Sequence, residues 1–137
     1  MKSLPFCYET AVYPEDTDYG GIVYHTNYLK YMERTRTEWL KSIGQPLSEL
    51  AKHQIFFVLR QANIDFIKPA KLNDELSISC EITDITRTQL IFEQSVKNKF
   101  ENDCVYAFGW VKLVCVNFNF KPARIPVPIL EALNHAG

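Results

Sequence analysis

The chain reads as a single α+β domain spanning residues 1–137, a long helix wrapped by a five-stranded antiparallel sheet. Three observations predict this. Apolar and aromatic residues recur at spacings of three and four over about residues 27–43, the period of a helix with one buried face. Beyond Phe56 the period falls to two, as where Leu76, Ile78, Cys80 and Ile82 alternate with Glu75, Ser77, Ser79 and Glu81. Finally, 137 residues that are 47% hydrophobic and 23% charged suffice for one domain with a core of its own.

The elements follow in order. Residues 6–13 form a strand-like run, which Pro14 closes because proline cannot donate a ladder hydrogen bond. An acidic loop leads to the long helix, whose inward stripe is Tyr28, Met32, Thr35, Trp39 and Ile43, with Lys30, Arg34, Glu38 and Lys41 on its other sides. Gly44 and Pro46 stop that helix, and a short helical piece runs from Pro46 to about Lys52. Leu90, Phe92, Gln94 and Val96 repeat the alternation of a half-buried strand. Residues 104–118 are nearly all apolar, the mark of a central strand covered on both faces. Polar turns of hairpin length fall at residues 84–88 and 98–103.

The expected order is therefore strand, helix, then four long strands in antiparallel succession, ending in a segment broken by Pro122, Pro126 and Pro128. One helix leaves one face of such a sheet without cover. With Val105, Phe108 and Trp110 on long strands, a homo-oligomer is expected, built on a dimer that continues the sheet or covers its open face.

Bulk properties narrow the function classes. A net charge of −1 argues against a broad basic surface, so nucleic acid is not an expected partner. Cys7, Cys80, Cys104 and Cys115 are irregularly spaced with no C-x-x-C, which suggests neither a zinc knuckle nor a redox pair. Three of them lie in apolar strand-like runs and read as small buried hydrophobes. Reduced thiols and a cytoplasmic location fit this pattern. The N-terminus lacks a signal-peptide apolar run, and no run reaches membrane-spanning length.

Chemistry concentrates in residues 15–25, E-D-T-D-Y-G-G-I-V-Y-H, which set three carboxylates, two glycines and a histidine ahead of the helix. Gly20 and Gly21 permit unusual backbone conformations and let a ligand approach the main chain. The first amides of the helix point back toward this loop, where they can bind or polarise an oxygen atom. A carboxylate base and an electrophilic helix end would then face one small space. On its residues alone Asp18 is as readily a turn-capping aspartate as a base, and His25 a histidine packed at a helix start.

The segment from Tyr13 to Arg36, with E-D-T-D-Y-G-G-I-V-Y-H-T-N-Y and M-E-R-T-R-T-E, resembles the hotdog-fold thioesterases of the 4-hydroxybenzoyl-CoA thioesterase group, and within it the YbgC-type acyl-CoA thioesterases associated with the Tol-Pal system. F-V-L-R at residues 57–60 and V-C-V at 114–116 extend the likeness along the chain. The resemblance implies hydrolysis of short-chain aliphatic or aromatic acyl-CoA without metal or other cofactor. It also implies an obligate dimer, often paired into a tetramer, with active sites shared between subunits. It places the catalytic carboxylate, base or nucleophile, on Asp18, and gives His25 a catalytic part through its side chain or its backbone N–H. Gly21, Tyr24 and Asn27 are candidates for substrate binding; Tyr24, Asn27, Tyr28 and Tyr31 could line the acyl pocket or belong to the core. Arg87 and Arg60 are the candidates for the CoA phosphates, against the ordinary alternative of solvated surface cations. Pro14 stands where YbgC-type sequences often carry a tyrosine, so a mechanism that needs that phenol does not carry over. Three other classes compete: a hotdog dehydratase or hydratase on a carrier-bound acyl chain, a non-catalytic CoA-binding protein, and a metal hydrolase using Asp16, Asp18 and His25.

Overall fold

A computed structural model describes residues 5–136. Strand β1 (Phe6–Ala11) is followed by a 3-10 turn at Pro14–Asp16 and by helices α1 (His25–Ser42) and α2 (Leu47–Lys52). Strands β2 (Ile55–Phe66), β3 (Glu75–Ile85), β4 (Gln89–Asn98) and β5 (Val105–Asn117) come next, and α3 (Val127–Ala136) ends the fold. The five strands form one sheet in the order β1-β3-β4-β5-β2, with every neighbouring pair antiparallel. This is the α+β, helix-on-sheet architecture expected of a hotdog fold.

Helix α1 lies over β1, β3 and β4, and its stripe is buried at Tyr28, Tyr31, Met32, Thr35, Trp39 and Leu40. Met32 is fully buried against Leu76, Ile78 and Val96, so a truncation there removes about 2–5 kcal/mol. The alternation in β3 and β4 is realised as read: Leu76, Ile78, Cys80 and Ile82, then Leu90, Phe92, Gln94 and Val96, all face the helix.

Four expectations change. First, α1 begins at His25 rather than near Asn27, which puts His25 in the first helical turn. Second, β2 does not pair with β3. It lies at the sheet edge beside β5, because β3 turns directly into β4 and β4 into β5 while β1 takes the outer edge of β3, leaving β5's outer edge free. Third, β5 is an interior strand but is covered on one face only, with Phe108 exposed on the other. Fourth, the C-terminal segment folds as a helix. Pro126 and Pro128 fall where α3 starts, where a missing N–H costs nothing, and Ile129 and Leu133 enter the core beside Trp39 and Phe92.

The face of the sheet away from α1 is open, a shallow trough of about 680 Å3 lined by residues such as Ser77, Ser95, Glu93, Lys97 and Trp110. Cys7 sits on this face opposite Ser79 and is exposed, unlike the buried Cys80 and Cys115. Its position in an apolar run concealed which face it takes.

Candidate active site

The loop between β1 and α1 is a tight hairpin docked on the helix start. The Asp16 carboxylate, in a residue only 8% exposed, accepts the Tyr13 N–H at 3.0 Å. The Asp16 carbonyl accepts the Tyr24 N–H at 3.1 Å and the Asn27 side-chain amide at 2.7 Å. Asp16 thus shapes the loop, holding the end of β1, the residue before α1 and the first turn of the helix together.

Beyond it the chain doubles back. Thr17 pairs with Val23, the Asp18 N–H donates to the Ile22 carbonyl at 2.9 Å, and the Gly21 N–H donates to the Asp18 carbonyl at 3.1 Å. Gly21 has a φ of +79°, a conformation L side chains resist, with no atom within 4 Å of where a Cβ would stand. Its carbonyl accepts the Leu72 N–H, and the Val23 N–H donates to the Ala70 carbonyl, so the hairpin is braced on the segment after β2.

Asp18 is carried at the tip of this hairpin with its side chain exposed. One carboxylate oxygen accepts the Gly20 N–H at 2.8 Å, the turn-capping bond, which leaves the other oxygen for a water or a substrate. Tyr24 precedes α1 and supplies no side-chain cap; its carbonyl accepts the Asn27 N–H at 2.8 Å, which leaves the His25 and Thr26 amides without an intrahelical acceptor. An exposed carboxylate and an uncapped helix end therefore emerge from one hydrogen-bonded unit.

Aromatic rings flank the helix start. The His25 ring lies 4.3 Å from that of Tyr24 and meets Phe66 edge-on at 6.3 Å. Phe66, 52% exposed at the end of edge strand β2, also packs on Tyr28 at 5.6 Å. The Tyr28 hydroxyl accepts the Ala70 N–H at 3.0 Å, and burial raises its phenol pKa, so it stays protonated. Tyr31 is enclosed beneath the loop, where burial first and then the Asp16 carboxylate push its phenol well up. Both tyrosines are core residues that support the loop and the helix start.

The candidate residues divide into two groups. Asp18, Gly21, Tyr24, His25 and Asn27 are brought together by the hairpin, Asn27 with its amide committed to Asp16. Arg60 and Arg87 are apart from it. Arg60 is the extra residue of a bulge in edge strand β2, and Arg87 is in the turn between β3 and β4; both are exposed, and neither is in an ion pair among the described residues. No cluster of three or more His, Cys, Asp or Glu side chains suited to a metal ion occurs among the described residues. Sequence reading missed Phe66 and the brace at residues 70–72, because both reach the loop only through the edge position of β2.

Residues 20–105 match the model of the thioesterase superfamily. Acyl-CoA thioesterase YbgC of Haemophilus influenzae is 34% identical over 137 residues, covering 98% of each chain. Acyl-CoA thioester hydrolase YbgC of Escherichia coli is 37% identical over 131 residues, 95% of this chain and 96% of that one. Among solved structures, a 1,4-dihydroxy-2-naphthoyl-CoA thioesterase from Synechocystis superposes with a TM-score of 0.87 at 26% identity, covering 95% of this chain and 96% of the other. Together with the sheet order and the helix that lies across it, these likenesses establish that the chain belongs to the thioesterase superfamily, as a hotdog-fold member of the YbgC type.

Proposed function

We propose that the protein hydrolyses acyl-CoA thioesters to a free acid and CoA, with Asp18 as the catalytic carboxylate. What supports this is the hairpin, which carries an exposed carboxylate with a spare oxygen and is hydrogen-bonded to the start of a helix that has no side-chain cap. As general base, Asp18 takes a proton from water as its oxygen attacks the thioester carbonyl; the carbonyl becomes an oxyanion, then re-forms as the C–S bond breaks and CoA leaves as thiolate. As nucleophile, Asp18 attacks directly, and water cleaves the resulting mixed anhydride. In both routes the first-turn amides of α1, that of His25 foremost, stabilise the oxyanion, worth about 3–4 kcal/mol for one well-placed donor.

Gly21 keeps the turn free of a side chain where the acyl group approaches, and Tyr24 with the His25 ring flanks it. Arg87 and Arg60 are assigned to the CoA phosphates, which a guanidinium binds through paired charged hydrogen bonds. The acyl groups expected are short aliphatic or aromatic ones, in keeping with the aromatic wall of Tyr24, His25 and Phe66. A homo-oligomer, dimer or tetramer, completes this reading: β2 is a free sheet edge with Leu59, Phe66 and the adjoining Ile67 exposed, and a second copy would cover it. Four free cysteines accord with a cytoplasmic setting, and no described helix is long and apolar enough to cross a membrane.

A panel of acyl-CoA thioesters, read by release of free thiol in the presence of a chelator, tests the proposal. Turnover of at least one short aliphatic or aromatic ester is expected. Absence of thiol release across the panel would overturn it.

A further inference from the structure

A groove of about 310 Å3 opens between α1, α2 and the β4-β5-β2 side of the sheet. Its walls are mostly apolar, with Leu40, Leu47, Leu50, Phe57 and Leu113 among them, and Arg36 is one of its lining residues. None of the hairpin residues lines it. Arg36 is also eleven residues beyond His25 on α1, about 16 Å along the axis at the helical rise. The groove is therefore separate from the Asp18 site.

Arg36 is in an unusual state. Its side chain bonds to Gln94 through Nη1 at 2.9 Å, the one side-chain hydrogen bond it makes among the described residues. Gln94 is itself fixed, because its amide donates to the Met32 carbonyl at 3.0 Å and the Ser79 carbonyl at 3.3 Å, leaving its oxygen to face Arg36. The acceptor is thus neutral. Burial lowers the guanidinium pKa, but arginine remains charged. Glu33 also lines the groove and offsets part of this charge, yet forms no ion pair within 4.0 Å of Arg36. Arg36 is half-buried, and a partly desolvated charge is commonly met by an opposite one. Here a half-buried cation with donors to spare lies in the lining of an apolar groove.

We infer that this groove binds a free carboxylic acid with an apolar tail, the carboxylate on Arg36 and the tail along Leu40, Leu50 and Phe57. A planar guanidinium and a carboxylate match in charge and geometry, and the volume lies at the lower end of that of small-ligand pockets. The site goes beyond thioester hydrolysis and does not depend on it. A neutral apolar molecule of the same length would lack the charged contact and bind less tightly.

Calorimetric titration of the intact protein with octanoate, beside octan-1-ol, is the test. Octanoate should bind at one site per chain, about tenfold or more tighter than the alcohol, since a hydrogen bond to a charged group is worth about that factor. Arg36→Met should erase the preference for the acid. Leu47→Glu puts an anion at the groove's rim on a residue already 51% exposed, at a helix start where glutamate is favourable, so the fold is kept while octanoate binding falls about tenfold. Asp18→Asn should bind octanoate like the parent, which separates this site from the one assigned to hydrolysis. The inference is overturned if octanoate does not bind, if the alcohol binds as well, if Leu47→Glu leaves binding unchanged, or if Asp18→Asn removes it.

Discussion

The Asn27 side-chain amide donates to the Asp16 carbonyl at 2.7 Å, tying the first turn of α1 to the base of the hairpin that carries Asp18. It is a side-chain link between the helix start and the loop from which Asp18 projects. Asn27→Ala should cost about 1 kcal/mol, the usual worth of such a bond, and lower kcat more than that small loss implies, because Asp18 would no longer be held in one place. Thermal melting and steady-state kinetics on the same sample check this. Unchanged kcat would mean that the backbone bonds alone position the hairpin.

Gly21→Ala isolates a backbone effect. The position has a φ of +79° with open space around it, so nothing is struck by the added methyl and only the conformation is penalised. About 1–2 kcal/mol is expected, with Gly21→Asn costing less since asparagine tolerates this region. Melting temperatures in the order parent, Asn, Ala are the signature. The reverse order would point to a contact instead of strain.

Which parts of this molecule were legible in the sequence follows from what each pattern reports. The α1 stripe and the alternation of β3 and β4 are local periodicities, and they folded as read from Tyr28 to Trp39 and from Leu76 to Val96. The position of β2 is not local. Its residues alternate no differently at an edge than inside a sheet, and it falls beyond β5 because β3, β4 and β5 pair in succession and β1 takes the other edge. Likewise, the prolines before α3 looked like breaks because a proline at a helix start and one in a loop are identical in sequence. At the site, the hairpin motif drew attention to Asp18 and His25, but Phe66 reaches His25 only through that same edge placement. The bond between Arg36 and Gln94 was not legible, since the two residues stand 58 apart in the chain.

Gly109→Ala probes the β5-β2 contact. A Cβ at this position would collide with the backbone carbonyl of Asn63 on the neighbouring strand, and backbone cannot rotate away as a side chain does. A loss of about 1–3 kcal/mol or more is expected, together with loosening of the β2 edge that faces any second copy. Denaturant melts and light scattering read both effects. A variant as stable as the parent would show that the two strands separate freely there.

Arg87→Ala should raise KM for CoA esters and spare kcat. The residue is exposed in the β3-β4 turn, away from the hairpin, so any phosphate contact it makes is present equally in ground and transition states. Its backbone carbonyl accepts the Ile125 N–H, a bond the substitution leaves intact, so stability should not change. A fall in kcat at constant KM would remove it from nucleotide binding.

Asp18→Asn should leave folding intact and remove most turnover. The amide oxygen of asparagine can still accept the Gly20 N–H, and the main-chain bonds from Asp18 to Ile22 and Gly21 do not involve the side chain, so the hairpin should persist. What disappears is the anionic oxygen that takes a proton from water or attacks the carbonyl, and loss of such a group costs about 10²- to 10⁴-fold in rate. Asp16→Asn is the matched control. Asparagine can keep the bond from the Tyr13 N–H, but it puts an amide NH2 in place of the other oxygen of a buried carboxylate, so that variant should lose stability in proportion to any rate it loses. The decisive measurement is kcat set beside melting temperature for the pair. If Asp18→Asn melts like the parent and still turns over at a similar rate, Asp18 is a turn residue and the base lies elsewhere. If it melts like the parent and is inactive while Asp16→Asn keeps a rate matched to its remaining folded fraction, the chemistry belongs to the exposed carboxylate.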